Sequence, residues 1–248
     1  MKKSLFVLLG FLLMAASAQA QTVSEILENY FENSGGKEKW ESLESTRMKG
    51  KMAMQGMEFP GMVIAVPPNK QRVEVNVQGM EIVQAYDGET AWWINPMQGP
   101  DPQKMPAVMA EAMTQQEFES PFINYEEKGH QLELLGTKEV EGAETYELKL
   151  TKADGQVQYY YFDSEYYVPI MVKTAITTGP AKGQEAETFL SDYQEIDGLM
   201  MPYFIETKVG GQTIQKMTID TIVLNETFEE AFFAFPKKEA EEKNEGGN

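Results

Sequence analysis

The chain has 248 residues, no cysteine and one histidine, and its 39 acidic against 21 basic side chains leave a net charge of −18. So large an acidic excess repels phosphate backbones and anionic headgroups, which argues against nucleic acid as a partner. Without cysteine there is no disulfide framework and no thiol to receive lipid at a processing site.

Residues 1–20 read as an export signal: Lys2 and Lys3 form a basic start, Leu5 to Ala16 an apolar run, and Ala18-Gln19-Ala20 a small-residue cleavage site. The apolar run is only about half of the ~20 residues a membrane span needs. The exported product is expected to begin at Gln21, and the loss of two lysines takes its charge to −20. A single domain is expected over 21–236. The Lys, Glu, Asn and Gly tail at 237–248 has too little apolar surface to order itself.

Thr22-Val23-Ser24-Glu25 forms a capping box, and Val23, Ile26, Leu27, Tyr30 and Phe31 follow at helical spacing up to Gly35-Gly36. A short helical piece over Lys37 to Leu43 carries Trp40. Strands are then expected at Thr46 to Gln55, Glu58 to Val66, Lys70 to Val77, Met80 to Tyr86 and Thr90 to Asn95, with Asp87-Gly88 as a tight hairpin turn. Because successive strand side chains alternate, Trp92 and Trp93 must face opposite sides of the sheet. Four prolines between Pro96 and Pro106 break the strand pattern. Val108, Met109, Ala112, Met113 and Gln116 then recur at helical spacing, and a further helical turn is expected within Phe118 to Glu127. A helical insert in a run of strands folds back over the sheet as a lid. Strands resume at Gln131 to Leu135, Thr145 to Thr151, Val157 to Phe162, Val168 to Thr174 and Glu187 to Tyr193, with hairpins at Asp154-Gly155 and Gly210-Gly211.

No catalytic constellation is visible, so an enzyme is not expected, and neither a metal nor a cofactor is. His130 stands alone at a strand start and reads as a loop-end residue. Asp192, Glu195 and Asp197 lack the spacing of a calcium loop and read as a turn. Tyr159 to Phe162 reads as cross-strand packing. The unusual material is methionine, sixteen in all, concentrated in the first half. Thioethers fill cores, and they also line adaptable apolar sites. If they line a cavity, its candidate residues are Met52, Met54, Met62, Ile64, Val73, Val75, Met80, Ile82, Trp92, Trp93, Met105, Met109 and Met113.

Val66-Pro67-Pro68-Asn69, followed by Asp87-Gly88-x-Thr90-x-Trp92-x-x-Asn95-Pro96, resembles the periplasmic lipoprotein carrier and lipoprotein-sorting (LolA/LolB-like) family. Asp192-Tyr193-x-x-x-Asp197-Gly198-Leu199-x-x-Pro202 and Phe232-Phe233-Ala234-Phe235-Pro236 resemble its later strands and its end. The resemblance implies a mainly β fold: one curved antiparallel sheet of ten or eleven strands, an unclosed half-barrel wrapped around a few helices that act as plug or lid. It further implies a monomeric periplasmic carrier that shields lipoprotein acyl chains, or a related lipid, on the way to the outer membrane. Its partners would be an ATP-driven inner-membrane donor complex and an outer-membrane receptor. Lacking cysteine, the chain is more similar to the carrier than to the lipid-anchored receptor. The family's lid-holding arginine has no aligned counterpart here, where only Arg47 and Arg72 occur. The rival reading is a periplasmic sensor or scaffold that binds a protein segment on the concave sheet.

Overall fold

The computed structural model describes residues 21–236 apart from 55 and 115; the expected signal at 1–20 and the tail at 237–248 lie outside the described residues. Helix α1 (Val23–Asn33) starts at the capping box, where the Glu25 carboxylate accepts from the Thr22 backbone N–H at 2.8 Å and the Thr22 hydroxyl accepts from Glu25 N–H. Its Ile26, Leu27 and Tyr30 are buried. The short helix α2 (Lys37–Glu41) is tied back to α1 by Trp40, whose Nε1 donates to the Ser34 hydroxyl at 3.0 Å.

Six strands then meander outward: β1 (Thr46–Met54), β2 (Met57–Val66), β3 (Lys70–Val77), β4 (Met80–Tyr86), β5 (Ala91–Asn95) and β6 (Gly99–Lys104). A crossing segment over 105–130, containing helix α3 (Ala107–Thr114), carries the chain to the far edge. Seven strands return: β7 (Gln131–Val140), β8 (Ala143–Thr151), β9 (Val157–Asp163), β10 (Pro169–Ala175), β11 (Glu185–Ile196), β12 (Leu199–Val209) and β13 (Gln212–Leu224). The order is β6-β5-β4-β3-β2-β1-β13-β12-β11-β10-β9-β8-β7, antiparallel throughout, so the first and last strands close the two halves against each other and β6 and β7 remain as edges. Asn225 seals that seam: its side-chain carbonyl accepts from Glu44 N–H at 2.8 Å and its own N–H donates to Ser45.

The expected half-barrel is present, with thirteen strands in place of ten or eleven. The proline-broken stretch after Pro96 holds β6, which is possible because β6 is an edge and Pro100 and Pro102 need not donate inward. The long run after Ile196 holds β12 and β13, where register shifts obscure the alternation. The helical turn expected within Phe118 to Glu127 is instead a series of turns.

Register separates two faces. The inner face, under the helices, carries Met52 opposite Phe59, Val63 opposite Val73, Val75 opposite Ile82, and Gln84 opposite Trp93. Gly50 and Gly61 pair between these rows, and a Cβ at Gly61 would lie 2.7 Å from the Met52 sulfur. The glycine makes room for the thioether to lie flat on the sheet. On the outer face, the C-terminal segment covers β3 to β5: Trp92 Nε1 donates to the Phe233 carbonyl at 2.7 Å, and Arg72 Nη1 donates to that of Phe232 at 2.9 Å.

Candidate functional site

The inner face is built by strand alternation. Met52 and Val75 are buried at its centre and pack with Leu43, Met201, Met217 and Ile219, while Trp40, Phe59, Val63, Val73, Val77 and Phe118 surround them and stay half-buried. Next to this cluster, Met113 of α3 is buried on Tyr86 and Ala91, with Met105 alongside. Ile82 and Trp93 continue the apolar surface beyond the helix and are half-buried. These side chains form a trough that the crossing segment covers in part.

Polar bonds fasten that segment to both halves of the sheet. On the first half of the sheet, Gln71 Nε2 donates to the Met113 carbonyl at 2.8 Å, and Phe118 N–H to that of Pro68 at 3.1 Å. On the second half, Lys152 Nζ sits 3.3 Å from Glu117 Oε1. Phe122 packs edge-on against Tyr30, Tyr160 and Phe162. Burial pushes the Tyr30 phenol up to about 12 against the opposing hydrogen bonds of Ser120 and Ser34, and desolvation also raises Tyr160 and Tyr193.

A cavity of about 410 Å³ opens where α2, the β2–β3 loop and the crossing segment meet, lined by Trp40, Leu43, Pro67, Pro68 and Phe118 with Glu119, Lys128 and His130 at its margin. Its size falls within the range of small-molecule pockets. A larger one, of about 910 Å³, lies between the β4–β5 turn and the C-terminal segment, among Lys70, Asp87, Glu89 and Glu230. Only the first touches the apolar trough.

Of the candidate cavity residues, the structure brings Met52, Val73, Val75, Met80, Ile82 and Trp93 onto the inner face, with Met105 and Met113 above it. Met80 sits at a hairpin tip, 40% exposed, and Met109 is 50% exposed on α3. The side chain of Met54 lies outside the described residues. Met62, Ile64 and Trp92 belong to the outer face, because each sits one position out of phase with the inner set. Trp92 is buried there beneath Phe235. Trp40, Leu43, Phe59 and Phe118 were not among the candidates; Phe59 had a signal, since it alternates with Gly61 and Val63, but Phe118 and the β2–β3 loop meet only in three dimensions.

The remaining sequence features find structural roles. His130 Nδ1 accepts from Ala153 N–H at 3.1 Å. Asp192 is skipped by the β11–β12 pairing at φ 52°, and Asp197-Gly198 forms the hairpin turn with φ of 50° and 79°. Arg72 stacks between Trp92 and Phe232 on the outer face, and Arg47 pairs with Glu226 at 2.9 Å; neither fastens the crossing segment.

No protein-family model and no curated protein sequence matches the chain. Among solved structures, a LolA superfamily protein of Nitrosomonas europaea is similar with a TM-score of 0.54 at 14% identity, covering 88% of this chain and 99% of that one. A putative outer membrane lipoprotein-sorting protein domain of Vibrio parahaemolyticus gives 0.53 at 13%, covering 84% and 94%. A DUF1329 family protein of Desulfovibrio piger gives 0.56 at 11%, covering 86% and 97%. The chain therefore shares the fold of the LolA superfamily and of lipoprotein-sorting domains, the fold its short motifs resemble.

Proposed function

We propose that the protein is an exported, non-enzymatic carrier that holds the acyl chains of lipoproteins, or of a related lipid, against the inner face of its sheet and conveys them through the periplasm toward the outer membrane. One observation carries this reading: half-buried Phe59, Val73, Ile82 and Trp93 lead to buried Met52 and Val75 beneath a crossing segment fastened to both halves of the sheet by Gln71 and Lys152. Burying a chain of about sixteen carbons at ~0.8 kcal/mol per CH₂ is worth about 12 kcal/mol gross. A membrane offers a comparable gain, so loading needs an energy-coupled donor at the inner membrane and unloading needs a receptor. The signal-like residues 1–20 supply the export step.

Native mass spectrometry of the protein taken from its own periplasm, followed by lipid extraction, tests the reading. Acyl lipid in stoichiometric amount is expected. A stable protein partner without lipid overturns the carrier in favour of a sensor or scaffold.

A further inference from the structure

Four hairpins lie side by side in the sheet, β5–β6, β3–β4, β1–β2 and β12–β13, and all four turn at the same rim. Their tips include Met97-Gln98-Gly99, Gln78-Gly79-Met80, Gly56-Met57 and Gly210-Gly211-Gln212-Thr213-Ile214. Charged residues make up 24% of the chain, yet these tips contain none. Each tip presents one large apolar side chain to solvent: Met97 at 70% exposure, Ile214 at 55%, Met57 at 54% and Met80 at 40%. These four are half of the eight large apolar side chains exposed among the described residues. The intervening connections at the opposite rim carry Lys70, Asp87, Glu89 and Asp197 instead.

With two strands per hairpin, neighbouring tips stand about 10 Å apart, so the row spans about 30 Å. Isolated apolar points at that spacing form no groove for a peptide, and none of the four lines a cavity described above. A fluid apolar surface accepts such points wherever they fall. Charge selects which surface. The chain is strongly acidic, and Glu58 and Glu81 follow two of the tips, so anionic headgroups are repelled while zwitterionic ones are not. The row also continues into the trough: along β2 and β4, Met57 and Met80 at the rim alternate down the inner face to half-buried Phe59 and Ile82, which pair with buried Met52 and Val75.

We propose that this rim seats the protein on a zwitterionic bilayer, its four apolar tips entering the headgroup layer, so that an acyl chain passes between membrane and trough without crossing water. The proposal rests on the carrier reading for the passage of the chain and on the rim alone for the docking. The test is co-sedimentation of the full exported chain with phosphatidylcholine vesicles, beside titration with a soluble fluorescent fatty acid. The variant M57Q/M97Q/I214Q, which spares the cavity candidate Met80, is expected to lose vesicle binding at least tenfold and to keep fatty-acid affinity within twofold, while the control L135Q/Y166Q, also at exposed apolar positions, binds vesicles like the parent. Should the triple variant melt early, M57Q alone and the pair M97Q/I214Q are each expected to show a partial loss. Absent vesicle binding by the parent, or binding that the rim variants leave unchanged, overturns the docking. So does a rim variant that changes only the oligomeric state by sedimentation, which would make the rim a contact between copies. Rim-dependent vesicle binding by a protein that takes up no fatty acid keeps the docking and removes the carrier.

Discussion

Lys152 and Glu117 meet at 3.3 Å across unequal surroundings: the lysine side chain is 8% exposed and the glutamate 46%. The pair joins the crossing segment to the second half of the sheet, and its asymmetry sets the effect of breaking it. Lys152→Met leaves the carboxylate in water and costs under ~1 kcal/mol. Glu117→Ala strands an ammonium group in a poorly hydrated site and costs about 2–3 kcal/mol. Both changes free the segment, so release of a bound fluorescent fatty acid should quicken in both, while only Glu117→Ala lowers the melting temperature appreciably. Equal melting temperatures would mean that Lys152 finds water without Glu117.

The two adjacent tryptophans report on opposite sides of the sheet. Trp93 is half-buried on the inner face, and Trp92 is buried under Phe233 and Phe235. Titration with a long-chain fatty acid should therefore change Trp93 emission. Trp93→Phe removes most of that change, and Trp92→Phe preserves it while costing about 1 kcal/mol for the lost bond to the Phe233 carbonyl. A response that survives Trp93→Phe places the ligand elsewhere.

Strand parity gives a third check. Val75 is 6% exposed on the inner face, and its neighbour Asn76 is exposed on the other side. Val75→Glu buries an unpaired carboxylate at about 3–5 kcal/mol, and Asn76→Glu costs little. Thermal melts that fail to separate the two variants would show the β3 faces to be misassigned.

Period-two alternation made β1 to β5 readable in the chain, together with the opposed indoles and a helical insert crossing the sheet. Where the structure leaves strict alternation, the reading stopped. Pro100 and Pro102 hid β6, whose edge position excuses them. Met62-Val63-Ile64 is apolar on both faces, so its inner and outer members looked alike. Trp92 found its partner 141 residues away, a distance over which no local pattern carries information. Methionine followed no single rule: Met52 and Met113 are buried, whereas Met57, Met80 and Met97 mark a rim that depends on how hairpins line up in the sheet.

Tyr30 ties the fold's alkaline limit to the crossing segment. Its ring packs edge-on against Phe122 and Phe162 at 5.9 and 5.5 Å, and its hydroxyl bonds with Ser120 and Ser34. Burial raises the phenol from 10.0 to about 12, so the unfolded chain gives up this proton first as pH rises. A group whose folded pKa is raised contributes its stability in full below the unfolded value and loses it on the way up to the folded one, here between pH 10 and about 12. Two pKa units correspond to about 2.7 kcal/mol. Tyr30→Phe cannot ionise, so its stability, measured by denaturant melts, should fall by about that much less than the parent's over this interval. Tyr160 and Tyr193 are also raised and keep their own share of the loss in both proteins. Because Ser120 and Phe122 belong to the crossing segment, the same interval should speed fatty-acid release from the parent more than from the variant. Identical stability and release profiles for the two proteins would show that Tyr30 does not hold the segment down.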